Sequence, residues 1–562
     1  MSTTKRIILD IGITLLGILA ISAVHRVEAA GLNADDFVSL ATQGFLEAVD
    51  GPHPEGSRRN SYIWSMQWWH DKLYVGTLRD AICLFGAGGV LAPGYDTVCP
   101  PPGTFLTPDQ RAEIWAYTPG GSAGAHGTWQ RVFQAPLLLS TLNEQLPDNQ
   151  LMNVMQVMNG GQPPNEGQFA NLLPVLAQTP REFGYRHMTT CDAGGQENLY
   201  VATLGVEGQI LYSPDGTTFP AASLLGLDLL NDRGYRALLC WKERLWTSPS
   251  GTFTEFNFTP PISFDLDADI AFNKVLLTNS NPSSPSSPWE SIVDVANDPQ
   301  LGDTNNLGIW GLEVFRGALY LGAINRTTGF EIWRADGASC NPPPGLCELT
   351  WEKIIDNGGG LPVPTDPPIP TNARIFQFKE FNGYLYWSAG ETAFPTFGPA
   401  ELGRIGPDGR WDLIVGAARD ASTMAAYPNF NCQRQGDVCL PLSGRGPSFG
   451  PDPFTRGSAL YFWQLQTHDG FLYLGTAETQ GLDSRCVSPV AGFDLWRSPN
   501  GIAWSLVFDD GLGNPCNYGA RNMATTPLGL FLGTANPYTI EDGTGPSGGT
   551  GGAEVWLGIG GE

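Results

Sequence analysis

An arginine or an aromatic residue stands at one equivalent position in each of seven related segments of the chain. These residues are Trp64, Arg186, Arg236, Trp310, Phe376, Trp463 and Arg521. Aromatic faces stack on sugar rings, and the planar guanidinium of arginine pairs with carboxylate or phosphate groups. If the seven positions meet, they predict a binding site for a glycan, a peptide or a small anionic ligand. The competing interpretation is that they pack neighbouring repeats together, with the arginines bound to carbonyl or carboxylate groups.

Three carboxylates alternate along one short segment, at Asp265, Asp267 and Asp269. Alternate side chains of an extended segment lie on one side, and calcium prefers hard oxygen ligands of this kind. The segment does not fit an EF-hand, because Ile270 stands where that loop needs glycine and Leu276 where it needs glutamate. Calcium is the one cofactor that the sequence suggests, and a solvated acidic strand edge is the alternative.

Further acidic residues recur at the second position of a repeated strand pattern. They are Glu113, Glu331, Glu401, Asp494 and Glu554. Two carboxylates can perform acid–base chemistry, but five repeated copies cannot all be catalytic. We expect them in cross-strand contacts or at solvated strand edges, with Arg334, Arg404 and Arg497 as nearby partners.

The histidines give no catalytic signal. His70 and His468 occupy the same predicted hairpin turn in two repeats, while His53, His126 and His187 are isolated. None of these three has a serine or cysteine at motif spacing, so the sequence does not predict a catalytic triad.

Ten cysteines, an even number, are typical of an oxidising compartment. Their spacings differ from the two-residue spacings of zinc sites. We therefore expect disulfides that close surface loops, namely Cys83–Cys99, Cys340–Cys347, Cys432–Cys439 and Cys486–Cys516. The pairing of Cys191 and Cys240 stays open.

One aromatic-rich phrase recurs seven times and predicts the architecture. It reads LYVGT at Leu73, LYVAT at Leu199, LWTSP at Leu245, LYLGA at Leu319, LYWSA at Leu385, LYLGT at Leu472 and LFLGT at Leu530. An apolar segment and a tight turn precede each copy, and two further strand patterns follow most copies. Four antiparallel strands per repeat predict an all-β, seven-bladed β-propeller with four-stranded blades.

The ends of the chain and one long insertion complete this prediction. The last repeat lacks a fourth strand after Ala553, and the segment at Phe37 resembles a fourth strand. We expect the N-terminal strand to complete the last blade and close the ring, which removes open sheet edges. Residues 30–562 then form one domain, with a partly helical insertion at about 137–181.

The N-terminal residues resemble a secretory signal peptide. Lys5 and Arg6 precede an apolar run from Ile11 to Val24, and small residues at Val27 and Ala29 fit a cleavage site. Cleavage of residues 1–29 predicts a secreted or periplasmic protein without a stable membrane span, and we expect a monomer. With 31 Lys+Arg against 56 Asp+Glu and a net charge of −25, the chain is not suited to bind nucleic acid.

Three turns between predicted third and fourth strands carry a family resemblance. Ser213-Pro-Asp-Gly, Ser498-Pro-Asn-Gly and Pro407-Asp-Gly resemble the Asp-box hairpins of BNR-type propellers, although their Asp or Asn stands directly before Gly. The resemblance implies a propeller fold and no particular activity, because propellers include hydrolases, lyases, lectins and scaffolds.

Three functions fit these observations. A secreted binding or scaffold propeller that recognises a glycan, peptide or surface component is the first. A propeller enzyme, a hydrolase or lyase acting on an acidic carbohydrate or a small organic acid at the central channel, is the second. A calcium-stabilised wall or matrix protein is the third.

Overall fold

The computed structural model describes most of the chain from residue 31 to residue 560. The described ranges are 31–48, 54–84, 106, 108–120, 127–140, 148–159, 162–228, 232–249, 254–257, 263–266, 274–337, 347–360, 372–390, 400–446, 459–478, 492–537 and 549–560. The predicted signal peptide at 1–29 and the residues Asp267, Asp269, Cys99, Cys340 and Cys486 lie outside these ranges.

The described secondary structure is mostly β-strand. The first strands are β1 Phe37–Ala41, β2 Asn60–Trp69, β3 Lys72–Arg79, β4 Glu113–Thr118, β5 Thr128–Gln134, β6 Glu182–Cys191, β7 Asn198–Gly205, β8 Ile210–Ser213, β9 Tyr235–Trp241 and β10 Arg244–Pro249. Next come β11 Thr254–Asn257, β12 Ser263–Leu266, β13 Val275–Asn279, β14 Glu290–Asp294, β15 Asn306–Phe315, β16 Ala318–Asn325, β17 Glu331–Asp336, β18 Thr350–Ile355, β19 Arg374–Phe381, β20 Tyr384–Gly390, β21 Glu401–Ile405 and β22 Trp411–Val415. The last are β23 Arg419–Asp420, β24 Gln433–Gln435, β25 Val438–Leu440, β26 Ala459–His468, β27 Phe471–Glu478, β28 Leu495–Ser498, β29 Ser505–Phe508, β30 Gly519–Thr526, β31 Gly529–Ala535 and β32 Val555–Gly558.

Helices are few among the described residues. The two long ones are α1 Asp148–Met158 and α2 Glu166–Leu176. Single helical turns occur at Ala81–Leu84, Asn357–Gly360 and Ala421–Met424, and 3-10 turns at Ala34–Asp36, Leu46–Ala48, Pro54–Arg59 and Leu225–Asp228.

Successive strands pair antiparallel into repeated units. In the described part of the chain these are unit 1 (β2–β5), unit 2 (β6–β8), unit 3 (β9, β10, β13, β14), unit 4 (β15–β18), unit 5 (β19–β22), unit 6 (β26–β29) and unit 7 (β30–β32 with β1). The hairpin β11–β12 is inserted within unit 3, and a small sheet of β23, β25 and β24 follows unit 5. The described part of the protein is therefore mostly β and has a propeller-type arrangement of antiparallel units, of which six have four strands and unit 2 has three.

The recurring leucine of the LYVGT-like phrase is the centre of each unit's core. It lies on the second strand, and all seven copies, from Leu73 to Leu530, are completely buried. The second strands are apolar on both faces because each sheet packs face to face against its neighbours. The repeated phrase that predicts the units is thus the part of each unit that is most fully covered.

First strands of successive units contact one another in a cyclic order. They follow as β2 with β6, β6 with β9, β9 with β15, β15 with β19, β19 with β26, β26 with β30, and β30 with β2. Each of these first strands therefore contacts two others within the described residues.

The two ends of the chain meet in unit 7. Phe37 of β1 pairs with Gly558 of β32, and Ala41 pairs with Val555. The sequence predicts this partnership for Phe37 to Leu40 against Ala553 to Trp556, and the observed partner segment, Val555–Gly558, lies two residues further along the chain. β1 is the fourth strand of a sheet whose other three strands come from the C-terminus.

The insertion between units 1 and 2 carries both long helices. Asn165 caps α2, since its side chain accepts from the Gln168 main-chain N–H at 3.0 Å while the Gln168 side chain accepts from the Asn165 N–H. Met155, Met158, Leu172 and Leu176 are buried and join a hydrophobic cluster that includes Trp64, Phe376 and Trp463. The helices therefore share one core with three of the seven candidate site residues.

The repeated acidic residue of the third strands is buried, so the expectation of an exposed edge is wrong. Glu331 accepts hydrogen bonds from Asn306 Nδ2 at 2.8 Å, Trp333 Nε1 at 2.9 Å and Lys353 Nζ at 2.6 Å. Glu113 likewise accepts hydrogen bonds from Asn60 Nδ2 and Trp115 Nε1. The carboxylate joins the start of the first strand to the third strand, which is a structural role.

The expected arginine partners bind elsewhere. Arg334 donates to Glu352, Arg404 donates to Asp412, and Arg497 donates to the main-chain carbonyls of Gly31 and Leu32. Long surface side chains reach the neighbouring fourth strand or the N-terminal segment more easily than a buried carboxylate on their own strand.

Two disulfides have both cysteines in the described residues. Cys432–Cys439, one of the expected loop pairs, lies beside β24 and β25, and Cys191–Cys240 joins the ends of β6 and β9 in neighbouring units. Cys83, Cys347 and Cys516 are also disulfide-bonded. Their expected partners lie outside the described residues, so those three pairings stay predictions.

Candidate functional site

All seven candidate site residues lie on a β-bulge of a first strand. In β2, Ile63 pairs with Thr77 and Ser65 with Gly76, so Trp64 is the extra residue. The same interruption occurs at the other six positions: Arg186, Arg236, Trp310, Phe376, Trp463 and Arg521. A bulge leaves one residue out of the ladder and re-aims its side chain. We call these seven side chains the bulge residues.

The bulge residues meet around one cavity of about 370 Å³. Six of them line it, and the seventh, Trp463, lies behind Arg521, whose guanidinium carbon is 4.7 Å from the Trp463 ring centroid. The structure thus brings together the residues that the sequence analysis selects.

Arginine and tryptophan side chains alternate and stack within this cluster. The Arg186 guanidinium lies 5.3 Å from the Trp64 ring centroid and 5.2 Å from that of Trp310, and Arg236 lies 4.3 Å from Trp310. Arg374, which the sequence analysis missed, lies 4.9 Å from the same ring. Cation–π stacking uses the flat faces of the guanidinium groups, whose N–H donors point outward in the plane.

Positive charge is concentrated at the bulge level. Burial, together with the charges of Arg521 and Arg374, lowers the pKa of Arg186 to about 9. Arg186 remains protonated at neutral pH, but the proximity of three cations is unfavourable. An anion placed among them would relieve this repulsion.

Side chains next to the bulges hold neighbouring first strands together. Gln464 Nε2 donates to the Arg521 carbonyl at 2.9 Å, and Asn522 Nδ2 donates to the Trp64 carbonyl at 3.1 Å. Arg236, itself a bulge residue of β9, donates to the Phe376 carbonyl of β19, two first strands away, at 3.2 Å. These bonds satisfy main-chain carbonyls at bulges, so part of the polar lining is structural.

His187 is a cavity residue that the sequence analysis left as isolated. It follows Arg186, and it is solvent-exposed although its neighbours Arg186 and Met188 are buried. Its exposed surface faces the cavity, and the surrounding protein still desolvates the ring. This desolvation and the charges of Arg236 and Arg521 lower the pKa of His187 to about 4, while a hydrogen bond with the Arg236 main chain opposes the shift. No local motif could have revealed it, because its partners lie on other units.

Glu313 and Lys379 form a second charged level of the same cavity. Both line it from the first strands of units 4 and 5. Burial raises the pKa of Glu313, and burial lowers the pKa of Lys379, each partly opposed by other contacts. A carboxyl group with a raised pKa at a cavity wall is one of the features of a general acid.

No metal-binding arrangement supports the calcium prediction within the described residues. Cys191, Asp192 and Cys240 are the one group there with three ligand-type side chains close together, and the two sulfurs are joined in a disulfide. The backbone of Asp265 lies in β12, while Asp267 and Asp269 lie outside the described ranges. The calcium site stays a prediction.

The chain was compared with known families, curated proteins and solved structures. No family model and no curated protein matches it. It is similar to a GH74 xyloglucanase from Xanthomonas campestris, with 13% identity over 64% of this chain and 45% of that chain and a TM-score of 0.30. It is also similar to an α-L-arabinanase from Cellvibrio cellulosa, with 14% identity over 55% of this chain and 90% of that chain and a TM-score of 0.26.

A puromycin-hydrolysing peptidase from Mycobacterium tuberculosis is similar too, with 9% identity over 90% of this chain and 62% of that chain and a TM-score of 0.33. The match with the xyloglucanase covers 45% of that protein, so this chain spans less than half of its length. Likenesses at these TM-scores do not identify an activity. Among the described residues, no helix has the length and apolarity that a membrane crossing requires.

Proposed function

We propose that the protein is a secreted, closed seven-bladed β-propeller that binds a small anionic ligand, such as an acidic carbohydrate, in the cavity between its first strands. The observation that carries the proposal is the placement of Arg186, Arg236 and Arg521 on bulges around one cavity. Arginine is well suited to bind carboxylate or phosphate groups through two parallel hydrogen bonds.

Blade number and ring closure are supported by the cyclic contacts of the first strands and by the pairing of β1 with β32. Secretion is supported by the disulfides Cys191–Cys240 and Cys432–Cys439, since disulfides persist mainly in oxidising compartments. The BNR-type resemblance is supported by the turn at Asp215, whose Oδ1 accepts from the main-chain N–H groups of Thr217 at 2.7 Å and Thr218 at 2.8 Å.

Aromatic rings orient the arginines of the cavity. Trp64 and Trp310 are buried and stack against the guanidinium groups of Arg186 and Arg236, which supports the in-plane N–H donors as the groups that an anion would meet. A volume of about 370 Å³ lies within the range of small-molecule sites. The ligand-binding interpretation therefore needs no rearrangement of the first strands.

Catalysis is a second candidate function, and Glu313 is the observation that favours it. Its carboxyl group lines the same cavity and has a raised pKa, as a general acid for a hydrolase or lyase requires. If the cavity turns over an acidic carbohydrate, Glu313→Gln abolishes turnover and leaves binding of the anionic group largely intact.

Titration calorimetry with D-glucuronate and D-glucose tests the binding proposal. We expect glucuronate to bind at least ~10-fold more tightly than glucose, because a charge-assisted hydrogen bond contributes about 1.5–3 kcal/mol. Arg111→Ala is the matched control, because Arg111 pairs with Asp109 at 2.9 Å outside the cavity and its loss should not change the affinity. Glucose 6-phosphate serves as a second anionic probe, with a phosphate group in place of the carboxylate. Equal affinity for glucuronate and glucose, or failure of both glucuronate and glucose 6-phosphate to bind, would contradict the proposal.

A further inference from the structure

His187 is a neutral side chain of the cavity wall that lies among the arginines. His187 is exposed to the cavity, although the residues on either side of it in β6 are buried. The charges that act on it come from Arg236 on the next first strand and from Arg521 on the first strand of unit 7. Any anion bound between those two arginines would lie beside the imidazole ring.

The hydrogen bond of His187 defines what its ring can offer. One ring nitrogen bonds to the main chain of Arg236, which raises the pKa of His187 and so is a bond in which the ring N–H donates. A neutral imidazole with one nitrogen donating has an acceptor lone pair on the other nitrogen. With a pKa of about 4, the ring is neutral at physiological pH and keeps this acceptor.

The arginines beside His187 can only donate hydrogen bonds. Gln464 and Asn522 use their amide N–H groups on main-chain carbonyls, and their amide oxygens are further acceptors of the cavity wall. Among the groups whose charges meet at His187, the free ring nitrogen is the acceptor, beside the donors of Arg236 and Arg521. It suits a ligand that carries a hydrogen-bond donor close to its anionic group.

We propose that the ligand of this cavity is a hydroxy acid, whose anionic group binds Arg236 and Arg521 and whose neighbouring hydroxyl group donates a hydrogen bond to His187. This inference rests on the proposed anion-binding function and adds a ligand class to it. It makes His187 a specificity-determining residue that contacts the ligand. A carboxylic acid without the hydroxyl still binds the arginines but leaves the His187 acceptor unpaired.

Mandelate and phenylacetate form a matched pair of probes, because they differ only in a hydroxyl group beside the carboxylate. We expect wild-type protein to bind mandelate about 3- to 10-fold more tightly, the range that one net hydrogen bond gives. In His187→Phe the two affinities become equal, because the substitution removes both ring nitrogens and keeps a planar ring. His468→Phe, in the β26–β27 hairpin outside the cavity, is the control that keeps the preference.

A second measurement does not depend on the variant folding. In wild-type protein labelled with 15N-histidine, mandelate should shift the acceptor-nitrogen resonance of His187, and phenylacetate should shift it much less. Equal affinity and equal shifts for the two acids overturn the hydroxy-acid inference while leaving the anion site intact. Failure of both acids and of glucuronate to bind overturns the anion site itself.

Discussion

Glu401 and Glu554 occupy the same repeated position, but their partners differ in charge. Glu401 Oε1 and Oε2 each accept from Arg419 at 2.7 Å, and neither side chain of this pair is exposed. Glu554 accepts from Asn514 Nδ2 at 2.7 Å, Asn517 Nδ2 at 2.8 Å and Trp556 Nε1 at 2.9 Å, all of them neutral groups. Glutamine substitutions at the two positions therefore measure how much the negative charge of each carboxylate contributes to the free energy of unfolding.

Glu401→Gln should destabilise the protein strongly. It leaves the buried Arg419 guanidinium without its anion, and breaking a buried ion pair from one side costs about 3–5 kcal/mol. Glu554→Gln keeps the side-chain shape and weakens about one neutral hydrogen bond, which costs about 1 kcal/mol, but it also removes a carboxylate that is unfavourably buried. We expect a net change within ~1 kcal/mol at pH 7.

The stability of Glu554→Gln relative to wild-type protein should also change with pH, and the direction of that change is an independent test. Burial raises the pKa of Glu554, although Asn514 and Asn517 oppose the shift. A carboxyl group with a raised folded-state pKa contributes stability that is fully present below its unfolded pKa and is lost as pH rises through its folded pKa. Wild-type protein therefore loses stability relative to Glu554→Gln between pH 4 and pH 7.

Urea unfolding followed by tryptophan fluorescence at pH 4 and pH 7 measures these differences. A loss below ~1 kcal/mol for Glu401→Gln would contradict the structural role of the buried ion pair. A loss above ~3 kcal/mol for Glu554→Gln at pH 7, or a variant that becomes relatively less stable as pH rises, would refute the reasoning about its neutral partners.

Three further predictions concern the framework. Deletion of residues 31–45 removes β1, so we expect a lower melting temperature and aggregation through the exposed edge of β32; unchanged values would contradict closure of the ring. Gly216→Ala should destabilise the protein by at least ~1 kcal/mol more than Gly195→Ala. Both residues have positive φ near +75° to +85°, so both substitutions strain the backbone, but only at Gly216 would the new Cβ lie 1.9 Å from the Tyr74 hydroxyl. Equal melting temperatures of the two variants would contradict this prediction. Peptide mapping without reduction should find three disulfides beyond the two described, and free thiols at these positions would reject them: Cys83–Cys99, Cys340–Cys347 and Cys486–Cys516.

Repetition made the strand framework predictable from the sequence. A leucine that recurs at the centre of every unit, from Leu73 to Leu530, is buried in every copy, because the second strand of each unit packs between neighbouring sheets in the same way. The same comparison selected the bulge residues as the position where the repeats differ. The bulges themselves have no sequence signal here, because arginine and aromatic residues also occur in regular strands.

Contacts between distant segments were not predictable. The carboxylate of Glu331 looks like a surface residue in its own strand, and its burial depends on Asn306 and Lys353 donating from two other strands. His187 looks isolated because Arg236 and Arg521 reach it from other units. Local patterns identify a strand, but they do not identify which side chains a cyclic arrangement brings face to face.

The double variant Arg236→Ala with Arg521→Ala tests the central claim most directly, that the bulge residues form a ligand site. Its glucuronate affinity and its urea midpoint are measured on the same preparation. We predict that binding falls at least ~10-fold, since two charge-assisted contacts are lost. We expect the midpoint to change little, because removal of Arg521 relieves its repulsion with Arg186 and offsets the loss of the hydrogen bond from Arg236 to the Phe376 carbonyl. A loss of several kcal/mol of stability with no change in glucuronate binding would show instead that the cluster packs the units together.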